Sequence, residues 1–144
     1  MSIEGQSHFV EVTKEFKIHA SHRLPGHEGK CANQHGHTYK LEVSIEGPVC
    51  PDAIEEQNDH FENLSLSMVT DFSTLKSWVE EVILSKLDHT DLNTLFIYPT
   101  AEITAIWIAD QLEQNAPIEW EAKGIRLSRV RLWETDTSSV LVEV

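Results

Sequence analysis

Two runs of alternating residues joined by a short loop constrain this chain more than any other feature. In the first, Val10, Val12, Phe16, Ile18 and Ala20 fall on one face and Glu11, Thr13, Glu15 and Lys17 on the other. In the second, Tyr39, Leu41, Val43 and Ile45 oppose Thr38, Lys40, Glu42, Ser44 and Glu46. A period of two marks a half-buried β-strand, and side chains two apart in a strand point the same way. By that parity His22 continues the apolar face of the first strand, and His35 and His37 lie on the apolar side of the second. Pairing the strands as a hairpin sets the end of the first beside the start of the second. His22 then converges on His35 and His37.

Three imidazoles on one face make a metal site with one position open. Imidazole suits zinc best among the common metals, although copper, iron and nickel accept it too. An open fourth position is what a catalytic zinc needs in order to bind water or substrate. The plainer reading is three ordinary strand histidines, but lone histidines rarely fall in phase with the apolar parity of two adjacent strands. His19 fails that test: it sits on the polar face, as a solvated side chain would. Cys31 lies in the loop, four positions before His35, with Lys30 adjacent. A thiol there can be a fourth ligand, a nucleophile, a base or an inert loop residue. Spacing does not choose among them.

The remainder of the chain supplies what the hairpin needs to fold. With 144 residues, one domain spanning 1–144 and a modest core are expected. The segment before Phe9 is short and polar, and no stretch has the length of a membrane span. Two cysteines, Cys31 and Cys50, do not make a disulfide scaffold, which fits a reducing cytoplasm. A formal charge of −13 argues against a nucleic-acid partner, whose phosphates call for a basic surface.

Gly47, Pro48 and Pro51 end the second strand. An acidic, amide-rich insertion over 51–67 follows, in which His60 reads as a solvated loop residue. Leu64, Leu66, Met68 and Val69 suggest a short extended piece. Asp71 is placed to cap a helix running to about Lys86, with Leu75, Trp78, Val79, Val82 and Ile83 as its apolar stripe. Asp88 and His89 then meet in a turn, where a carboxylate can fix the tautomer of an imidazole and raise its basicity. Thr100 is a good N-cap for a second helix over Ala101 to Asn115 carrying Ile103, Ile106, Trp107 and Leu112, and Glu102 complements its dipole. Gly124–Glu134 and Ser139–Val144 read as closing strands. Between Leu127 and Val130 the apolar parity changes, which a bulge or two-sided burial would explain. Glu134 shares the face of Val130 and Leu132, so its carboxylate needs a partner, either Arg129 or Arg131 nearby or a ligand. The pattern predicts an α+β domain, a four-stranded antiparallel sheet with two helices on one face.

Several of these stretches resemble one family. F-x-I-x-A-x-H at Phe16 to His22 and C-x-x-x-H-G-H at Cys31 to His37 are similar to the 6-pyruvoyl-tetrahydropterin synthase superfamily. So are M-V-x-D-F at Met68 to Phe72, D-H at Asp88 and His89, P-T-A-E at Pro99 to Glu102, and L-W-E-T at Leu132 to Thr135. The resemblance covers nearly the whole chain, although the connection after the hairpin is somewhat long for the family. The three-residue gap between Cys31 and His35 resembles the 6-carboxytetrahydropterin synthase branch of queuosine biosynthesis, whereas the biopterin-forming branch typically has a longer gap.

The resemblance implies a tunnelling fold (T-fold) whose sheets join as a trimeric barrel, with two trimers stacked into a homohexamer. It implies that His22, His35 and His37 hold Zn2+ and that Cys31 is the catalytic base, not a fourth ligand. His89 would transfer protons with Asp88 as its orienting partner. The Thr100 region would help line the pterin pocket, and Glu134 would accept the ring N–H and exocyclic amine of the pterin. Active sites between subunits would let Cys31 and Glu134 serve one site from different chains. The implied substrate is 7,8-dihydroneopterin triphosphate and the implied product 6-carboxy-5,6,7,8-tetrahydropterin. A triphosphate sits awkwardly with so acidic a chain, and Arg23, Lys30 and Lys40 are the local cations available to meet it. Two rivals stand beside this reading: a 6-pyruvoyltetrahydropterin synthase using the same substrate, and a zinc protein that holds a pterin or purine without turnover.

Overall fold

A computed structural model describes residues 8–50 and 61–144, and its spine is the long hairpin. Strands β1 (His8–His22) and β2 (His35–Val49) pair antiparallel along their full length, from His8 opposite Val49 to His22 opposite His35. Strand β3 is a two-residue piece, Thr90–Asp91, that runs parallel to β1 beside Ala20 and Ser21. Strand β4 (Arg126–Thr135) pairs antiparallel with β2, and β5 (Ser138–Glu143) with β4. The four expected antiparallel strands are therefore present, and β3 makes a fifth in the order β3-β1-β2-β4-β5.

The parity change in β4 is a bulge. Ser44 faces Arg129 while its neighbour Ile45 faces Leu127. Ser128 is left without a cross-strand partner on β2, so Leu127 and Val130 both turn inward, as their burial requires. A second shift follows at the other end of the strand. Trp133 faces Ser139 and Thr135 faces Ser138, which leaves Glu134 out of the β5 ladder.

Two segments differ from expectation, and a third, the Asp71-capped helix, has the expected span with a local irregularity. The stretch through Leu64 and Leu66 is not extended: it belongs to a short helix, α1 (Phe61–Leu66), which leaves both leucines exposed. The insertion before it, with His60, and the segment ahead of His8 lie outside the described residues. Helix α2 starts at Phe72–Val79 under an Asp71 cap that accepts from the Ser73 N–H at 3.0 Å. It passes through a π-helical turn over Glu80–Leu84 and ends in Ser85–Leu87. The wider turn keeps Val79, Ile83 and Leu87 pointing at the sheet at four-residue intervals, each fully buried.

Helix α3 (Ala101–Gln114) is rotated from its expected face. The buried set is Ala101, Thr104, Ala105, Ile108, Ala109 and Leu112, which is a helical stripe made largely of small residues. Ile103 and Ile106 face outward, 44% and 48% exposed. Large apolar side chains draw the eye in a sequence, but the alanine stripe is what lets this helix lie close over β4 and β5. Helix α4 (Trp120–Lys123) ends at Gly124, whose φ of +73° is a left-handed cap that suits glycine.

The core fills the space between the apolar face of the sheet and α2 and α3. Phe16, Ile18, Tyr39, Leu41, Val43, Ile45, Val130 and Leu132 come from strands, and Leu75, Val79, Ile83, Leu87, Ile108 and Leu112 from helices. The opposite face of the sheet is polar and self-paired: Glu11 with Arg129, Glu46 with Arg126, Glu42 with Arg131 at 3.7 Å and Glu15 with Lys40 at 3.9 Å. No helix among the described residues is long and apolar enough to cross a membrane.

The orientation of α3 is open to a direct check. Ala105→Leu forces volume into a filled seam and should destabilise the fold by about 1–3 kcal/mol. Ile106→Gln on the outward face should change stability by less than about 0.5 kcal/mol. Urea denaturation of both variants reads the difference, and the reverse ranking would mean that the helix is turned the other way.

Candidate metal centre and its surroundings

The register of the hairpin delivers the three histidines to one place. His22 sits directly across from His35, and His37 lies across from Ala20, two residues along on the same face. Their ring centroids form a near-equilateral triangle with sides of 4.6, 5.0 and 4.8 Å, and one ligand nitrogen from each lies within 4.8 Å of the others. His22 is fully buried; His35 and His37 are half-buried.

Hydrogen bonds fix which nitrogen faces inward. His22 Nδ1 is 2.8 Å from the Pro99 carbonyl, and His35 Nδ1 is 2.7 Å from the Asn33 carbonyl. A carbonyl can only accept, so in each ring Nδ1 carries the proton and Nε2 presents its lone pair. Those two Nε2 atoms stand 3.0 Å apart. Two lone pairs at that distance repel unless a cation lies between them. Tetrahedral zinc bound at about 2.0–2.1 Å separates its ligands by roughly 3.3 Å, so the spacing fits. His37 Nε2 is buried and has no hydrogen-bond partner, which a metal would also remedy. Carbonyls that orient metal-binding imidazoles are the usual outer layer of such sites. The donor set therefore fits a metal ion.

The electrostatics agree. Burial holds the His37 imidazole below the usual histidine range, with Glu134 pulling the other way and His22 and His35 adding to the depression. His37 is thus neutral, as a ligand must be. Tyr39, its hydroxyl 3.4 Å from His22 Nδ1, is pushed well above the ordinary phenol range, by burial first and by Glu134 second. It stays a neutral wall beneath the cluster.

The other expected residues fall around this centre unequally. Glu134 does not pair with Arg129 or Arg131. Arg129 is taken by Glu11, and Arg131 by Glu42 and by Ser139 at 2.9 Å. The bulge instead sets the Glu134 carboxylate 3.8 Å from His37 Nε2. Cys31 is a free, half-buried thiol in a 3-10 turn over Lys30–Ala32, and its sulfur is not part of the three-nitrogen cluster. Thr100 caps α3 through its hydroxyl, 3.1 Å from the Ile103 N–H. Its link to the centre is the carbonyl of Pro99, one residue earlier. Glu102 is exposed in the first turn of α3.

Asp88 and His89 occupy the tight turn before β3. His89 has a left-handed backbone, φ +59°, an uncommon conformation for a residue with a Cβ. Its N–H donates to the His19 carbonyl at 2.5 Å, and the His19 N–H donates to Asp88 Oδ1 at 2.9 Å. The other Asp88 oxygen is 3.6 Å from His89 Nε2, a charge contact more than a hydrogen bond. His19 was expected to be merely solvated. It is exposed, but its ring stacks on His89 with centroids 5.3 Å apart, and its Nδ1 lies 3.2 Å from the Thr38 hydroxyl. A shallow groove of about 530 Å³ joins these parts, with His19, His37, Thr38, His89 and Asp91 in its walls. Of the three cations considered for an anionic ligand, Lys40 points to the opposite face of the sheet beside Glu15, while Arg23 and Lys30 are exposed at the loop.

The parts played by Pro99, Asn33 and Tyr39 were not foreseen, because they act through a carbonyl or a phenol: Pro99 stood out only as the first residue of P-T-A-E and Tyr39 only as an apolar-face residue. Only the nearness of Pro99 to the Thr100 cap hinted at its place.

Known proteins line up with this architecture. The family model described as 6-pyruvoyl tetrahydropterin synthase matches residues 11–143. A Haemophilus influenzae protein named 6-carboxy-5,6,7,8-tetrahydropterin synthase is 35% identical, over 89% of this chain and 94% of its own length. The human protein named 6-pyruvoyl tetrahydrobiopterin synthase is 30% identical, over 98% of this chain and 97% of its own. The solved structure of Caenorhabditis elegans 6-pyruvoyl tetrahydropterin synthase superposes with a TM-score of 0.71 at 23% identity, covering 94% of this chain and 96% of that one. The fold is the T-fold of those enzymes.

Replacing His22 or His35 with Ala should reduce the metal bound per chain to a small fraction of the wild-type amount, measured by elemental analysis after dialysis. The pH dependence has a definite sign. A histidine in the unfolded chain takes its proton near pH 6.5, whereas folded His37 requires more acid. Below about pH 6.5 the unfolded state therefore binds more protons, and both stability and metal content should decline as pH falls. Metal content that stays flat to about pH 5 would count against imidazole ligation.

Proposed function

This chain belongs to the 6-pyruvoyl tetrahydropterin synthase family, and from that premise we propose that it is a zinc-dependent carbon–carbon lyase. The reaction takes 7,8-dihydroneopterin triphosphate and water to 6-carboxy-5,6,7,8-tetrahydropterin, acetaldehyde and triphosphate, a step toward 7-deazapurines such as queuosine. The observation that carries the reading is the facing pair of Nε2 atoms of His22 and His35 with the unpartnered His37 Nε2 beside them, next to a free Cys31. Identity over most of the chain with the Haemophilus influenzae relative supports this branch of the family. So does the short gap between Cys31 and His35.

The roles follow from chemistry. Zinc supplies Lewis acidity toward the side-chain hydroxyls of the substrate, which makes them easier to deprotonate. Cys31 takes and returns protons at the carbons between ring and side chain. His89 does so from the other side, and the constraint on its turn keeps the imidazole presented to the groove. Glu134 accepts the ring N–H and exocyclic amine of the pterin, two parallel hydrogen bonds to one carboxylate. Its nearness to His37 supports that role, because it would hold the ring beside the metal. Thr100 contributes to the pocket wall. We take the working form to be a homohexamer in which neighbouring chains complete each site.

Mass spectrometry of the products after incubating zinc-loaded protein with 7,8-dihydroneopterin triphosphate decides the reaction. A 6-carboxytetrahydropterin with stoichiometric acetaldehyde is the expected result. A 6-pyruvoyl product would move the chain toward the reaction named for its human relative, with the same centre intact. Cys31→Ala should lower turnover by at least about a hundredfold while leaving zinc bound, and full activity in that variant would remove Cys31 from its role.

A further inference from the structure

The loop that carries Cys31 and the turn that carries His89 both meet the protein at the end of β1. Arg23, the first residue past the last cross-strand pair, has no strand partner on β2 for its backbone. One side chain takes both of its polar groups. The Arg23 N–H donates to Asn93 Oδ1 at 2.8 Å, and the Arg23 carbonyl accepts from Asn93 Nδ2 at 3.0 Å. The next residue, Leu24, donates its N–H to the Cys31 carbonyl at 2.7 Å. The path from Asn93 to the backbone of Cys31 is therefore two residues and three hydrogen bonds.

Asn93 is anchored on the other side as well. It lies in a 3-10 turn over Leu92–Thr94, where its N–H donates to Asp91 Oδ1 at 3.0 Å. Asp91 and Thr90 form β3, and the His89 N–H ahead of them is bonded to His19 on β1. Arg23 is exposed, so water alone could satisfy its backbone. A side chain that engages both groups adds fixed geometry. Asparagine offers a donor and an acceptor in one plane; aspartate keeps only the acceptor and alanine neither.

We propose that Asn93 is a positioning residue whose double grip on the Arg23 backbone holds the Cys31 loop in register with the His89 turn. Its consequence for turnover rests on the roles given above to Cys31 and His89. The grip itself does not.

The test uses Asn93→Ala and Asn93→Asp in the full, zinc-loaded chain, with thermal melting to confirm folding. Three quantities are read: hydrogen exchange at the Leu24 amide, zinc content, and kcat and KM on 7,8-dihydroneopterin triphosphate. In Asn93→Ala, Leu24 should exchange at least about tenfold faster. With zinc retained and KM within about twofold, kcat should fall by about ten- to a hundredfold, the range that small misplacements of reacting groups produce. Asn93→Asp should fall between that variant and the wild type, and it carries the test if the alanine variant does not fold. Unchanged exchange at Leu24 would overturn the proposal. So would an unchanged kcat, or a loss of kcat no larger than the loss of zinc or of folded protein. Should the wild-type chain yield no product, the functional reading fails, and exchange at Leu24 decides the grip by itself.

Discussion

Two imidazole nitrogens facing each other at 3.0 Å, each ring with its proton committed to a carbonyl, set the terms for everything around them. The arrangement depends on one register. If β2 slipped by one residue against β1, His35 and His37 would turn to the polar face together with Tyr39, Leu41, Val43 and Ile45. The parity that buries the core is the parity that gathers the three candidate ligands, so a change of register would lose both. The centre is also held from outside the hairpin. The carbonyl that orients His22 belongs to Pro99, at the threshold of α3, and seating that helix therefore fixes the imidazole.

The two faces of the sheet divide the labour. One is covered by α2 and α3 and is apolar apart from the histidine cluster at its end; the other carries four acid–base pairs, three between neighbouring strands and one, Glu11 with Arg129, reaching across β2. Exposed pairs of this kind contribute little stability singly. They do leave the cations Lys40, Arg126, Arg129 and Arg131 with carboxylate neighbours. Of the three cations considered for an anionic substrate, Arg23, Lys30 and Lys40, that leaves Arg23 and Lys30 at the Cys31 loop, on the side where the proposed chemistry lies.

Much of this was legible in the sequence, because alternation is a strong local signal. The hairpin, the convergence of His22, His35 and His37 and the Asp71 and Thr100 caps follow from parity and capping chemistry, and the parity change in β4 called for either a bulge or two-sided burial, of which the structure has the bulge. What was not legible depended on contacts far apart in the chain. The face of α3 was misread because close packing against a sheet favours Ala101, Ala105 and Ala109, which carry little hydrophobic weight in a sequence pattern. The stretch at Leu64 and Leu66 was read as extended because alternation over a few residues cannot separate a strand from one helical turn. His19 passed for a solvated residue since its partners, Asp88 and His89, are distant in sequence. The partner of Glu134 could be found only once the bulge had aimed the side chain.

That bulge bears on how such a protein can diverge. Because Glu134 stands outside the β5 ladder, its side chain answers to no cross-strand neighbour there. A substitution at this position would change the carboxylate beside His37 while leaving strand pairing and core packing nearly as they were. Under the proposed role of Glu134, position 134 is therefore a place where ligand preference could change at little risk to folding, whereas any change at His22 or His35 would disturb the hairpin end and the histidine cluster together.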